Sequence, residues 1–184
     1  MGARNDKPNW SQVRKYLQAL DKRDLIHLLG DIYHTSVENR LFLHSRFLTG
    51  SAVIVDYRKR VHDLIAPNPL GTKRIRTSEA KRLTRHFFKA TGDPVSSIDL
   101  SMFALEVGIE QSIDLGVEGE EYFGPLRQIA TDVVRLFTEL PQDRRRGAHR
   151  RLKRLIANSS HIGWGFGDEL RFMVDSLSLS KAAK

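Results

Sequence analysis

Apolar residues recur along this chain at intervals of three and four and nowhere alternate over the length of a strand, so the pattern predicts helices throughout. In "NWSQVRKYLQAL", Ser11 reads as an N-cap, with Val13, Tyr16, Leu17 and Leu20 at helical spacing behind it. "DKRDLIHLLGDIYH" restarts at Asp21 and gathers Leu25, Leu28, Leu29, Ile32 and Tyr33 into one stripe. A third helix starts at Ser36 and uses Leu41, Leu43, Phe47 and Leu48; a fourth follows Gly50 and stops at Pro67. Thr77 then opens "TSEAKRLTRHFFKATGDP", which ends at Gly92 in front of a proline.

The next segment, "PVSSIDLSMFALEVGIEQSIDLG", behaves differently. Ile98, Met102, Leu105, Ile109 and Ile113 form its main stripe, while Leu100, Phe103 and Val107 lie opposite. A helix apolar on both sides belongs at the centre of a bundle. "EGEEYFGPLRQIATDVVRLFTELP", "RRRGAHRRLKRLIANS" and a helix after Gly167 bring the total to about nine segments without a strand. The expected fold is all-α, a multi-helix bundle or a short array of helical hairpins, with no fixed-period repeat in the side chains. "APNPLGTKRIR" carries two prolines and a glycine without periodicity, so the expected organisation is a helical subdomain at 1–66, a loop at 67–76, a second helical subdomain at 77–178 and a tail at 179–184, together making one compact domain.

At 184 residues the chain is long enough to build a core without staples. It has no cysteine, which excludes disulfides and thiolate chemistry and suits a reducing compartment. The first ten residues lack an apolar core of the signal-peptide kind, and no run reaches the roughly 18 to 20 apolar residues a membrane span needs. A cytoplasmic protein with no membrane partner is expected.

The net charge of +8 becomes informative once it is located. Residues 71–92 carry seven basic residues against one acidic, residues 141–156 again seven against one, and residues 93–140 reverse the sign with two against ten. Basic surfaces attract phosphate backbones, yet this chain contains its own acidic partner. On the fifth helix Arg82, Arg85 and Lys89 fall opposite Leu83 and Phe87; on the eighth, Arg146, Arg150, Lys153 and Arg154 fall opposite Ala148, Leu152, Leu155 and Ile156. Lys73, Arg74 and Arg76 would extend such a surface. If both stripes share one face, nucleic acid gains as a partner; if acidic helices lie between them, it loses.

"SEAKRLTRHFFKATGDP", "FALEVGIEQSIDLG" and "HIGWGFGDEL", in this order and spacing and preceded by "KYLQALDKRDLIHLLGDIY", resemble an uncharacterised bacterial family of small all-helical proteins catalogued only as a domain of unknown function. The resemblance spans most of residues 15–176. It implies a helical fold and a bacterial setting, and it brings no activity, cofactor or catalytic residue.

Candidate chemistry is sparse. In "HIGWGFGDEL" a dinucleotide fingerprint would need a preceding strand and a downstream acid; the structural alternative has Gly163 and Gly165 turning the chain, Trp164 and Phe166 plugging the core and Asp168 capping the last helix, and a remaining alternative is an anion site beside an open pocket. Glu106 and Glu110, one turn apart at the margin of the central apolar stripe, are expected to be buried acids satisfied by arginines of the basic helices. His27, Asp31 and His34 share a face of the second helix, but it is the wet face, and neither HExxH nor a Glu-x-x-His pair is present, so no metal or cofactor is expected. No catalytic residue is assigned, since no serine sits in Gly-x-Ser-x-Gly or Ser-x-x-Lys. The expected function is therefore that of a non-catalytic binding module with a protein partner. A DNA- or RNA-associated accessory protein is the second reading, and a metal-dependent enzyme built on helix carboxylates the third.

Overall fold

The structure, a computed structural model, describes residues 7–48, 51–68, 70, 74–163 and 165–182. Among them the chain forms nine helices and no strand: α1 Trp10–Ala19, α2 Lys22–Thr35, α3 Val37–Phe47, α4 Ser51–Ile65, α5 Thr77–Thr91, α6 Pro94–Leu115, α7 Glu120–Glu139, α8 Gln142–Ser159 and α9 Phe166–Ala182. No helix among the described residues is long and apolar enough to cross a membrane.

Two compact units emerge, residues 1–40 and 41–184, so the division falls within α3 and not at 67–76. The loop fails as a boundary because α4 packs on both α5 and α6, and the Arg76 amide donates to Leu64 O at 2.7 Å across it. α4 and α5, on either side of it, are packed neighbours.

In the first unit, Asn9 and not Ser11 caps α1: its side chain accepts from the Gln12 amide at 3.2 Å while Gln12 Oε1 accepts from the Asn9 amide at 3.0 Å, a reciprocal capping box. Asp21 caps α2 through the Asp24 amide at 2.8 Å, as its position in the sequence suggests. Asn39 Nδ2 donates to Ile32 O at 2.9 Å and closes the end of α2, while Ser36 Oγ accepts from the Asn39 amide. These caps define where the helices start. They do not supply a core, and no residue of α1 or α2 is buried.

The second unit has α6 at its centre, packed against α4, α5, α7 and α8, with α9 closing against α7 and α8. Its position follows from composition. Leu100, Met102, Leu105 and Ile109 are all buried, and Ser97, Ser101 and Gly108 let neighbours approach closely. Asp93 caps its start through the Val95 and Ser96 amides and Gly116 ends it with φ 60°. Ile113, assigned by its spacing to the main stripe, is 58 % exposed, because the helix runs past the core in its last turn. Tyr122 of α7 donates to Gly108 O at 2.7 Å, and burial raises its phenol pKa well above the ordinary 10. The same close approach brings Leu126 against Gly108, where a Cβ would stand 2.8 Å from the leucine Cδ1.

Candidate functional site

The basic stripes are the natural starting point, because their fate decides between partners. Arg85 on α5 is exposed but ion-paired with Asp132 of α7 at 2.6 Å, and Lys81 beside it donates to Gln128 at 2.8 Å. Arg82 and Lys89 are exposed, with no ion-pair partner among the described residues. On α8 the contrast is sharper: Arg146, Arg150, Lys153 and Arg154 are all exposed, occupy a strip about 100° wide, and have no acidic partner among the described residues. The acidic α6 packs against both α5 and α8. Arg74 and Arg76 flank α5, with Arg76 held by Glu79 at 3.1 Å, while Lys73 lies outside the described residues.

Four arginines, none of them named above, knit the second unit together. Arg151 faces α6, where its Nε and Nη2 each donate to Glu106 at 2.6 Å and its Nη1 donates to Asp99 at 2.5 Å. Arg58 of α4 takes the other Asp99 oxygen and stacks over Phe103 at 5.5 Å. Those hydrogen bonds, Glu106 first, raise the Arg151 pKa above its ordinary value and fix its charge. Arg127 binds Glu120 and, at 2.6 Å, Glu169, joining the first turns of α7 and α9. Arg145 donates to Leu140 O at 2.9 Å and Thr138 O at 3.0 Å, satisfying carbonyls at the end of α7.

Glu106 thus has the arginine expected of it, whereas Glu110 does not share its setting. Glu110 is exposed. Four residues along a helix turn the side chain by about 40°, which here is enough to leave the groove between α6 and α8.

Gly165 adopts φ 67°, Phe166 is 1 % exposed with its ring 5.4 Å from that of Phe123, and a Cβ on Gly167 would stand 2.3 Å from Ser159 O. The last glycine therefore permits α9 to start directly against the end of α8. Asp168 corrects the sequence reading: α9 begins at Phe166, which puts Asp168 inside the first turn, exposed, where its charge favours the positive helix end without capping it. Trp164 lies outside the described residues.

Two clefts open on the surface. One of about 660 Å³ is lined by Phe137, Gln142, Asp143, Arg145, Arg146, His149 and Leu177, with Arg145 already engaged by carbonyls. The other, about 760 Å³, runs between the starts of α5 and α7 and mixes Glu118, Glu120 and Glu121 with Arg76 and Lys81. Residues 163 and 165–168 line neither cleft. His27, Asp31 and His34 are exposed on α2, and no group of three metal-ligating side chains occurs among the described residues.

What the sequence did not single out is the surface of the first unit. Trp10, Val13, Tyr16 and Leu17 lie within about 120° on α1, and Leu20 follows as its C-cap. Trp10 is 67 % and Tyr16 78 % exposed; on α2, Ile26, Leu29 and Ile32 are exposed as well, while Leu25, Leu28 and Tyr33 are half-buried. Isolated exposed apolar residues are ordinary, whereas here each of two successive amphipathic helices exposes a stripe of them. No protein-family model, curated protein or solved structure matches the chain.

Proposed function

We propose that this protein is a non-catalytic helical module that works by protein contact through the exposed apolar stripes of α1 and α2. The observation that carries this reading is that both helices are strongly amphipathic and yet bury no residue. Helices of 10 and 14 residues are marginal in water by themselves, and most helical stability comes from packing an apolar face. Here that face is open. The dispersal of charge supports the same reading, since Arg58, Arg85, Arg127 and Arg151 are engaged by carboxylates of the same chain.

Affinity capture tests it. The full chain, immobilised and exposed to cell extract, is expected to retain a protein that the Tyr16→Glu variant does not. An identical set of retained proteins for both would remove these stripes from the function.

A second reading rests on α8 and its four unpaired cations. A basic strip of this kind fits a phosphate backbone, and the chain would then accompany DNA or RNA using one helix and not two. Fluorescence anisotropy with a labelled duplex separates the readings: binding weakened by Arg150→Glu supports it, and no binding at about 50 mM salt, where phosphate contacts are strongest, ends it. The family likeness seen in the sequence adds a bacterial setting to either reading.

A further inference from the structure

We infer that the cleft formed by the end of α7, the start of α8 and α9 is a binding site for a small monocarboxylate with an apolar body. All of its described lining lies within the unit 41–184, on helices other than α1 and α2. Its volume of about 660 Å³ falls among ordinary small-molecule sites, which run from about 300 to 1,000 Å³. Such sites join an apolar floor to a few polar groups that fix orientation. Both parts are present here.

The floor is Phe137 near the end of α7 and Leu177 on α9, each buried in the core on its far side. His149 of α8 continues it as a half-buried ring, 6.4 Å from the ring of Phe137. An alkyl or aryl body lying across these three side chains leaves water for apolar contact.

The rim carries the charge. Arg145 donates through Nε to Leu140 O and through Nη2 to Thr138 O, which fixes the plane of its guanidinium and leaves Nη1 without a partner among the described residues. A donor held in place before the ligand arrives lowers the ordering cost of binding. Arg146 has no ion-pair partner among the described residues, and neither ring nitrogen of His149 is hydrogen-bonded there. Asp143 is the one acid among the described lining residues, and it pairs with Arg144 at 3.4 Å. Arg145 and Arg146 against Asp143 leave a single positive charge in excess, which matches one carboxylate better than a phosphate dianion. The planar fork of arginine suits the same group. A phosphate backbone would gain nothing from the apolar floor, so the cleft differs from the exposed strip of α8 although Arg146 belongs to both.

An NMR amide-shift titration of the full chain at about 0.15 M salt tests the inference. Octanoate is the probe, octanol carries the body without the charge, and acetate the charge without the body. Octanoate is expected to shift residues 142–149 saturably with a Kd below about 1 mM, and each control to bind about tenfold more weakly or worse. Arg146→Gln is expected to weaken octanoate about fivefold, while Arg150→Gln, one turn further along α8 and outside the cleft, changes it less than about twofold. The absence of a saturable shift at 142–149 up to about 3 mM octanoate overturns the inference. So do shifts confined to α1 and α2, a control that binds as tightly as octanoate, or equal weakening by the two arginine variants.

Discussion

Replacing Arg151 by alanine tests how α8 is held on α6. The change deletes three charge-assisted bonds, two to Glu106 and one to Asp99. Each bond to a charged group contributes about 1.5–3 kcal/mol where water is excluded, and breaking a fully buried pair costs about 3–5 kcal/mol. The site is not fully dry: the Arg151 side chain is 20 % exposed and that of Glu106 32 %. Exposed pairs contribute only about 0–1 kcal/mol, so an intermediate loss of about 2–3 kcal/mol is expected. For a domain of this size that lowers Tm by about 5–10 °C. Thermal unfolding followed by circular dichroism reads the shift, with Arg150→Ala, one residue away and exposed, expected to stay within about 0.5 kcal/mol of wild type. A double-mutant cycle with Glu106→Gln is expected to return a coupling above about 1 kcal/mol. A Tm for Arg151→Ala indistinguishable from that of Arg150→Ala, or a coupling of zero, would refute the reasoning that this network sets the register of the bundle.

Three further outcomes follow from the geometry. Gly167→Ala places a methyl 2.3 Å from the Ser159 carbonyl, backbone against backbone, and is expected to cost about 1–3 kcal/mol in a urea titration; Gly108→Ala meets only the end of the Leu126 side chain and is expected to cost less. Burial raises the phenol pKa values of Tyr57 and Tyr122, so the folded state keeps those protons longer than the unfolded chain: their contribution is complete below pH 10 and declines as pH rises beyond it, for Tyr122 by about 1.4 kcal/mol per pH unit. Urea midpoints at pH 8 and 11 are expected to show Tyr122→Phe losing less stability over that interval than wild type, and equal losses would contradict the assignment. Any duplex binding seen at low salt is expected to come from α8 alone: four phosphate contacts give a slope of about −3.6 in log K against log salt, Arg150→Glu weakens it, and Arg85→Glu, whose side chain is committed to Asp132, leaves it unchanged. A slope steeper than about −5 would bring α5 onto the same duplex.

The helices were legible because periodicity and caps are local properties. The apolar surroundings of α6 announced its central position before any neighbour was known. Arg151 was harder: it lies between Arg150 and Leu152, about 140° around the helix from Arg146, at the seam between wet and dry faces. Only the groove occupied by Glu106 and Asp99 distinguishes it from the four arginines and lysines beside it. Glu110 failed for the same reason in reverse, since one turn of helix carries it out of that groove. Asp168 was displaced by two residues because the helix begins as soon as Gly167 lets it approach Ser159, a tertiary contact with no local signature. The openness of α1 and α2 was not legible at all, because a leucine stripe has the same spacing whether or not something covers it.

Amide hydrogen exchange across α1 and α2, measured on the full chain, tests the central claim that their exposed stripes form a contact surface. The account predicts fast exchange there in the free chain, against slow exchange in the buried segments of α6 and α7. Strong protection of α1 and α2 in the free chain would contradict it.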